Sequence, residues 1–191
     1  MSYDLRLTRD FFVRDVLTVA PELLGKFLVC RVGEEALRYR ITETEAYRGA
    51  EDLACHACKG RTARTEAMFH AGGVVYVYFI YGMYWMLNFV TGRENEPQAA
   101  LIRGLEGFYG PGRLTRQLQI DKSFYDEDLT VSSRIWLEDD GFRPTYSAGA
   151  RIGVDYAGEW KDKPWRFYVN HTTNIFVHGI YIFGAKGKDI F

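Results

Sequence analysis

Between Val74 and Val90 the chain is almost continuously apolar, holds four tyrosines and is broken at Tyr81-Gly82. A membrane-spanning helix needs about 20 consecutive apolar residues, and the phenols, Gly82 and Asn88 argue against one here. β-Branched and aromatic residues at this density favour strands, and a glycine in their midst favours a turn. The run is therefore expected to form two buried strands, Val74–Ile80 and Tyr84–Val90, with a sheet built around that hairpin. Side chains alternate along a strand, so Tyr76 and Tyr78 share a face. Tyr81 falls on the turn and is displayed outward, where a flat ring can wedge into a stack of bases. Taken by itself, the run is foremost a tyrosine-rich pair of core strands.

Elsewhere the punctuation is local. Thr8 or Asp10 is placed to cap a first helix, and Pro21 suits the first turn of a short second one that Gly25 ends. Phe27–Val32 and Leu37–Tyr47 read as paired strands around Gly33-Glu34-Glu35. Gly49 to Gly60 is a loop, and Thr62 is placed to cap a helix to about His70, stopped by Gly72-Gly73. A strand near Ala99–Gly104 follows, and Gly110-Pro111-Gly112-Arg113 opens a helix to about Ile120. Residues 124–145 are loop-rich, and Ala150–Tyr156 and Trp165–Asn170 are expected late strands. Strands and helices do not alternate regularly. The expected class is α+β: one domain over residues 1–191, with a curved, mainly antiparallel β-sheet flanked by short helices.

With 47% hydrophobic and 26% charged residues the chain has an ordinary globular composition, whereas the 16% of aromatics, including 13 Tyr, exceeds what a core of this size asks for. The net charge of −1 is not that of a typical DNA-binding protein. Acidic residues cluster at Asp126-Glu127-Asp128 and Glu138-Asp139-Asp140, however, while Arg61, Arg64, Arg103, Arg113, Arg116 and Lys122 leave room for a local basic face. Three cysteines, an odd and low number, suit a reducing compartment, and Met1 to Asp10 lacks the apolar core of a secretion signal. A cytoplasmic (in a prokaryote, nucleoid-associated) and unsecreted protein, monomeric and away from membranes, is expected.

Four groups of residues carry possible chemistry. In the second expected strand Ile41, Glu43, Glu45 and Tyr47 share one face by alternation. Two carboxylates and a phenol suggest a polar site in which a carboxylate deprotonates water; a solvated strand face has the same pattern. The tyrosine hairpin is the second group. The third is Gly110-Pro111-Gly112-Arg113, where free N–H groups of a helix start, with an arginine beside them, make a place for a phosphate. The fourth, Cys55-His56-Ala57-Cys58, has a spacing used for zinc or redox chemistry, but no second such pair exists to complete a metal site.

Together these segments resemble the 3-methyladenine DNA glycosylase family of the alkyladenine (methylpurine) glycosylase type. The matching blocks are Pro21–Lys26, Glu43–Tyr47, Met68-Phe69 with Tyr76 through Tyr84 and Asn88, Leu101–Arg103, Gly110–Leu114, Ile120–Phe124, and Ala150–Val154 through Gly158–Trp160 to Arg166–Val169. They run in order from about residue 19 to 169, leaving residues 170–191, with His171, His178 and Phe183, unmatched. The resemblance implies Glu45 as the group that activates water and Arg103 as its neighbour near the target phosphate. It implies Tyr47, His56 and Tyr78 as the pocket that sandwiches an extruded base, and Asn88 as the residue that crowds out guanine. Tyr81 would fill the gap in the duplex, and Arg64, Gly110, Gly112 and Arg113 would contact the backbone. It implies no metal and no cofactor, with double-stranded DNA containing damaged purines as partner. The implied reaction is hydrolysis of the N-glycosidic bond of alkylated or deaminated purines (3-methyladenine, 7-methylguanine, hypoxanthine, ethenoadenine) without strand cleavage. A non-catalytic reader of damaged or single-stranded nucleic acid would use the same aromatic pocket. One departure stands out: only Gly107-Phe108-Tyr109 separates Glu106 from Gly110, where family members carry a longer stretch.

Overall fold

The tyrosine-rich run folds as the hairpin that its glycine predicts. The computed structural model describes residues 5–170. Among them are three short helices, α1 (Arg9–Phe12), α2 (Val16–Glu22) and α3 (Pro111–Gln117). Nine strands form one sheet: β1 (Phe27–Val32), β2 (Glu35–Arg48), β3 (Val75–Ile80), β4 (Tyr84–Thr91), β5 (Gln98–Leu105), β6 (Phe108–Tyr109), β7 (Ile135–Glu138), β8 (Tyr146–Gly149) and β9 (Arg166–Val169). Every pairing is antiparallel, so the α+β class with a curled antiparallel sheet is what the chain adopts.

The long strand β2 is the spine. Its first half pairs with β1, and its second half pairs with β5 on one side and, over Glu43–Glu45, with β9 on the other. A bulge near Thr42–Glu43 joins the halves. Bulges bend a strand and shift its alternation, and here the shift decides which face carries the carboxylates. Ile41 was expected to share a face with Glu43, Glu45 and Tyr47. Instead Ile41 lies in the main core with Ala46, and the Thr44 hydroxyl on that side donates to the Ala20 carbonyl of α2 at 2.8 Å. Glu43, Glu45 and Tyr47 are left together on the opposite face.

The same division runs across the sheet. Val75 and Val77, Leu87 and Phe89, and Ala100 and Ile102 point into the core beneath α2 and α3. Their alternates Tyr76 and Tyr78, Met86 and Asn88, and Leu101 and Arg103 line a cavity on the other face. Helices thus cover one side of the sheet, and the other side is free to become a site.

Several expected boundaries moved. Pro21 lies near the end of α2 rather than at its start, because the helix begins five residues earlier: Asp15 caps it, accepting from the Leu17 N–H at 2.8 Å. Near a C-terminus proline forfeits little hydrogen bonding. The helix expected from Thr62 to His70 shrinks to a 3₁₀ turn over Glu66–Phe69, since Thr62 and Thr65 bond each other instead of capping. The stretch Ala150–Tyr156 is no strand: Arg151 is drawn inward to a carboxylate, Gly153 takes a left-handed φ of 76°, and 3₁₀ turns follow over Asp155–Asp162. Strand β7 arises in the segment expected to be loop-rich, its four residues being too few to show a period. The unmatched tail, from residue 171 on, lies outside the described residues.

Candidate active site

Glu45 lies beneath the site, fully buried at 0% exposure, behind cavity-lining residues rather than among them. A bare carboxylate there would be costly, and three donors surround it. Oε1 accepts from the Ile152 N–H at 2.8 Å; Oε2 accepts from the Tyr47 hydroxyl at 2.8 Å and from Arg103 Nη1 at 3.4 Å. Burial nevertheless wins and pushes the Glu45 carboxyl above the usual range. Arg103 and the two hydrogen bonds pull it back in part, and Glu43 adds to the rise. Arg103 Nε reaches Glu43 at 3.3 Å as well, so one guanidinium clamps both carboxylates. A carboxyl tuned upward beside a cavity is the usual condition of a general base.

The cavity, about 350 Å³, opens above Tyr47, Arg103 and Ile152, the three residues that donate to Glu45, within the range of small-molecule sites. Aromatic rings form its walls. The His56 ring packs edge-on against Tyr78 at 4.5 Å, and its Nδ1 bonds the Tyr76 hydroxyl at 2.8 Å. Burial, with Arg64 and Lys59 nearby, brings His56 down to about 4, so its imidazole is neutral at pH 7. Asn88 donates to the Tyr76 and Met86 carbonyls at 3.1 and 3.3 Å, which prevents its side chain from swinging aside. Tyr47, His56, Tyr78, Asn88 and Arg103 therefore converge as the sequence suggests, and Arg64 joins them on the cavity wall.

Tyr81 stands at the rim, 80% exposed. Its φ of 55° and the 67° of Gly82 are the left-handed pair that a tight hairpin turn demands. A bulky residue in that region is strained, and the strain projects the ring clear of the sheet. The start of α3 also reaches the rim, where Pro111 lines the cavity. Here the expectation of several free N–H groups needs correction. The Gly110 N–H bonds the Arg103 carbonyl at 3.0 Å, Pro111 has none, and the Arg113 N–H returns to Gly110 at 3.1 Å. Gly112 owes its identity to packing: a Cβ there would sit 2.5 Å from the Tyr84 ring.

Three features escaped sequence reasoning. Tyr76 supports His56. Ile152 lends its backbone N–H to Glu45. Arg151 forms a fully buried ion pair with Asp52 at 2.6 Å and also donates to the carbonyls of Ala46 and Trp160, which holds Ile152 in place. Tyr76 and the Arg151–Val154 segment both lie in the blocks that carry the resemblance, but it assigned neither a role.

The acidic runs are neutralised locally. Glu138 pairs with Arg38, Asp139 with Lys26 and Arg143, Asp140 with Arg40, Glu127 with Arg134 and Asp128 with Arg9. Arg61 is engaged by Glu66, whereas Arg64 and Arg113 pair with no carboxylate among the described residues. The Cys55 thiol is buried and pushed up to about 12, a poor state for metal or redox chemistry. Among the described residues no cluster of three His, Cys, Asp or Glu is placed to hold a metal, and no helix is long and apolar enough to cross a membrane.

The family model for methylpurine-DNA glycosylase (MPG) matches residues 10–110 and 107–173. The chain belongs to that family. The two matched segments meet at residues 107–110, on the short connection before α3, and the second extends slightly past Val169. Among relatives of this methylpurine-DNA glycosylase family member, a Rickettsia rickettsii protein is 45% identical over 92% of this chain and 96% of its own. A Psychrobacter cryohalolentis protein is 44% identical over 80% and 86%, and a Desulfitobacterium hafniense protein 40% identical over 90% and 98%. All three bear the name "Putative 3-methyladenine DNA glycosylase".

Proposed function

We propose that the protein removes alkylated or deaminated purines from double-stranded DNA by hydrolysing the N-glycosidic bond, leaving an abasic site. The observation that carries this reading is a buried, upward-tuned Glu45 held by Tyr47, Arg103 and Ile152, three residues that line an aromatic cavity whose rim holds an exposed tyrosine. A paired base is out of reach, so the nucleotide rotates out of the helix at a cost of a few kcal/mol, least for damaged bases that pair poorly. Tyr81 fills the vacated space. Tyr47, His56 and Tyr78 stack on the extruded purine, and Asn88, fixed by two hydrogen bonds, crowds the exocyclic amine of guanine. Gly112 and Arg113 at the start of α3 meet the backbone, whereas the Gly110 N–H is engaged by the Arg103 carbonyl and Arg64 lies on the cavity wall.

Cleavage builds positive charge on the deoxyribose. A carboxylate on the far side from the leaving base stabilises that charge and takes the proton of the attacking water, as in inverting sugar hydrolysis. Glu45 fills both roles, and Arg103 holds it in place. Among the described residues no lysine lines the cavity to attack the sugar, in keeping with hydrolysis without strand cleavage. Incubation with duplexes carrying 3-methyladenine, hypoxanthine or undamaged adenine tests the proposal. Abasic sites in the lesion duplexes with the strands intact are expected. Binding without base release would favour a non-catalytic reader, and nicked strands would overturn the monofunctional step.

The pH profile follows from the two shifted groups. Glu45 acts as the carboxylate, so activity is lost as pH falls through its folded pKa, which lies above the ordinary glutamate value of about 4.3. His56 is already neutral above about 4 and contributes no step near 6.5. Single-turnover release of 7-methylguanine is expected to rise with pH through one inflection on the high side of the glutamate range. A second inflection near 6.5 would show His56 to be charged in the working enzyme.

Tyr81→Ala is expected to reduce capture of the extruded nucleotide about tenfold, the scale of one base–aromatic stack, with Tyr81→Phe near wild type, because the wedge needs a flat apolar ring. A fluorescent base analogue at the lesion position reads the extruded population. Equal signals from wild type and Tyr81→Ala would remove Tyr81 from that role.

A further inference from the structure

Charge is distributed unevenly over the cavity. At the floor, Arg103 is matched by Glu43 and Glu45, and Arg166 also lies 3.6 Å from Glu43. At the aromatic wall the situation is reversed. The Arg64 guanidinium lies 5.5 Å from the Tyr78 ring centroid, lines the cavity, and pairs with no carboxylate among the described residues. The ring groups beside it are neutral: the phenols of Tyr76 and Tyr78 are held protonated by burial, and His56 carries no charge at neutral pH, while Lys59 near His56 adds to the positive side. A positive group among uncharged rings beside a cavity imposes a potential on whatever enters, and a low-dielectric wall strengthens it.

We infer that Arg64 is a specificity-determining residue that sorts lesions by charge, favouring purines that are neutral in DNA over purines that carry a fixed positive charge. The inference rests on the reading that this cavity receives the extruded base. When the C1′–N9 bond breaks, its electron pair stays with the purine. Water supplies its oxygen to C1′ and gives one proton to Glu45. A neutral purine such as hypoxanthine acquires a negative charge and later takes a proton from solvent. A cationic purine such as 7-methylguanine becomes neutral. Relative to free DNA, Arg64 therefore stabilises the transition state of the neutral lesion. For the cationic lesion it first repels the incoming base and is relieved only as the bond breaks, so its net effect on that transition state is small. Discrimination appears in kcat/KM, which compares transition states from free enzyme and substrate.

The experiment is competition, in one reaction, between a hypoxanthine duplex and a 7-methylguanine duplex, which reads the ratio of the two kcat/KM values directly. In Arg64→Gln the ratio of hypoxanthine to 7-methylguanine release is expected to fall about tenfold or more, between the scale of one charge–charge contact in water and one near a protein surface. Arg64→Lys keeps the charge and is expected to retain most of the ratio. If Arg64 serves only the DNA backbone, both lesions lose rate together and the ratio is unchanged, which overturns the inference. A ratio that falls equally in Arg64→Lys would assign the effect to shape and overturn it too. Release of neither base by the unsubstituted protein would overturn the proposed function itself and this inference with it.

Discussion

Glu45→Gln is expected to lower single-turnover base release by about 10³-fold or more, the upper part of the range for a lost general base, while affinity for lesion DNA stays within a few-fold. The local hydrogen bonds explain why the substitution is tolerated. The amide oxygen can keep the Ile152 N–H, and the amide nitrogen can turn to the Tyr47 hydroxyl, which rotates to accept. The amide can neither accept the proton of water nor offset positive charge on the sugar. Arg103 keeps Glu43 as a partner, so the floor does not gain a stranded cation. Glu43→Gln is expected to be far milder, because Glu43 reaches the site only through Arg103. Release within a few-fold of wild type by Glu45→Gln, or the larger loss in Glu43→Gln, would mean that another group activates the water.

Asp52→Asn is expected to cost about 3–5 kcal/mol of stability, as breaking one side of a buried ion pair typically does. At this chain length each kcal/mol shifts Tm by about 2–4 °C, so a fall of roughly 6–20 °C is expected on thermal unfolding. Both side chains of the Asp52–Arg151 pair have 0% exposure, and removal of the carboxylate leaves a guanidinium without its counter-charge. Base release should also weaken below the melting range, because Arg151 anchors the segment that presents the Ile152 N–H to Glu45. The half-exposed Arg14–Glu22 pair is the internal comparison. Glu22→Gln should cost about 1 kcal/mol or less, since solvent screens such pairs. Similar melting temperatures for Asp52→Asn and Glu22→Gln would contradict the buried arrangement.

Much of the fold could be read from local pattern. The hairpin of β3 and β4, the turn at Tyr81-Gly82, the pairing of β1 with β2 and the start of α3 all follow from signals within a few residues of each other, and local signals survive without tertiary context. The errors have a common cause. Strand β7 and the 3₁₀ turns near Glu66 and Asp155 are short elements that depend on partners elsewhere in the chain. The face assigned to Ile41 failed at a bulge, which one strand in isolation does not announce.

The site divides along the same line. Sequence alone was sufficient to put Glu45 and Tyr47 on one strand face, Tyr76 and Tyr78 on another and Tyr81 on a glycine-marked turn, whereas Asn88 was named only by the ordered set of motifs that resembles the family. Tertiary structure decided the chemistry. Ile152 lies 107 positions from the carboxylate it supports, and Arg151 lies 99 positions from Asp52. The same packing puts Arg64 on the cavity wall and leaves His56 neutral. Burial and two of the three donors around Glu45, Arg103 and the Ile152 N–H, come from distant segments, and only the Tyr47 hydroxyl lies within reach of it along the chain.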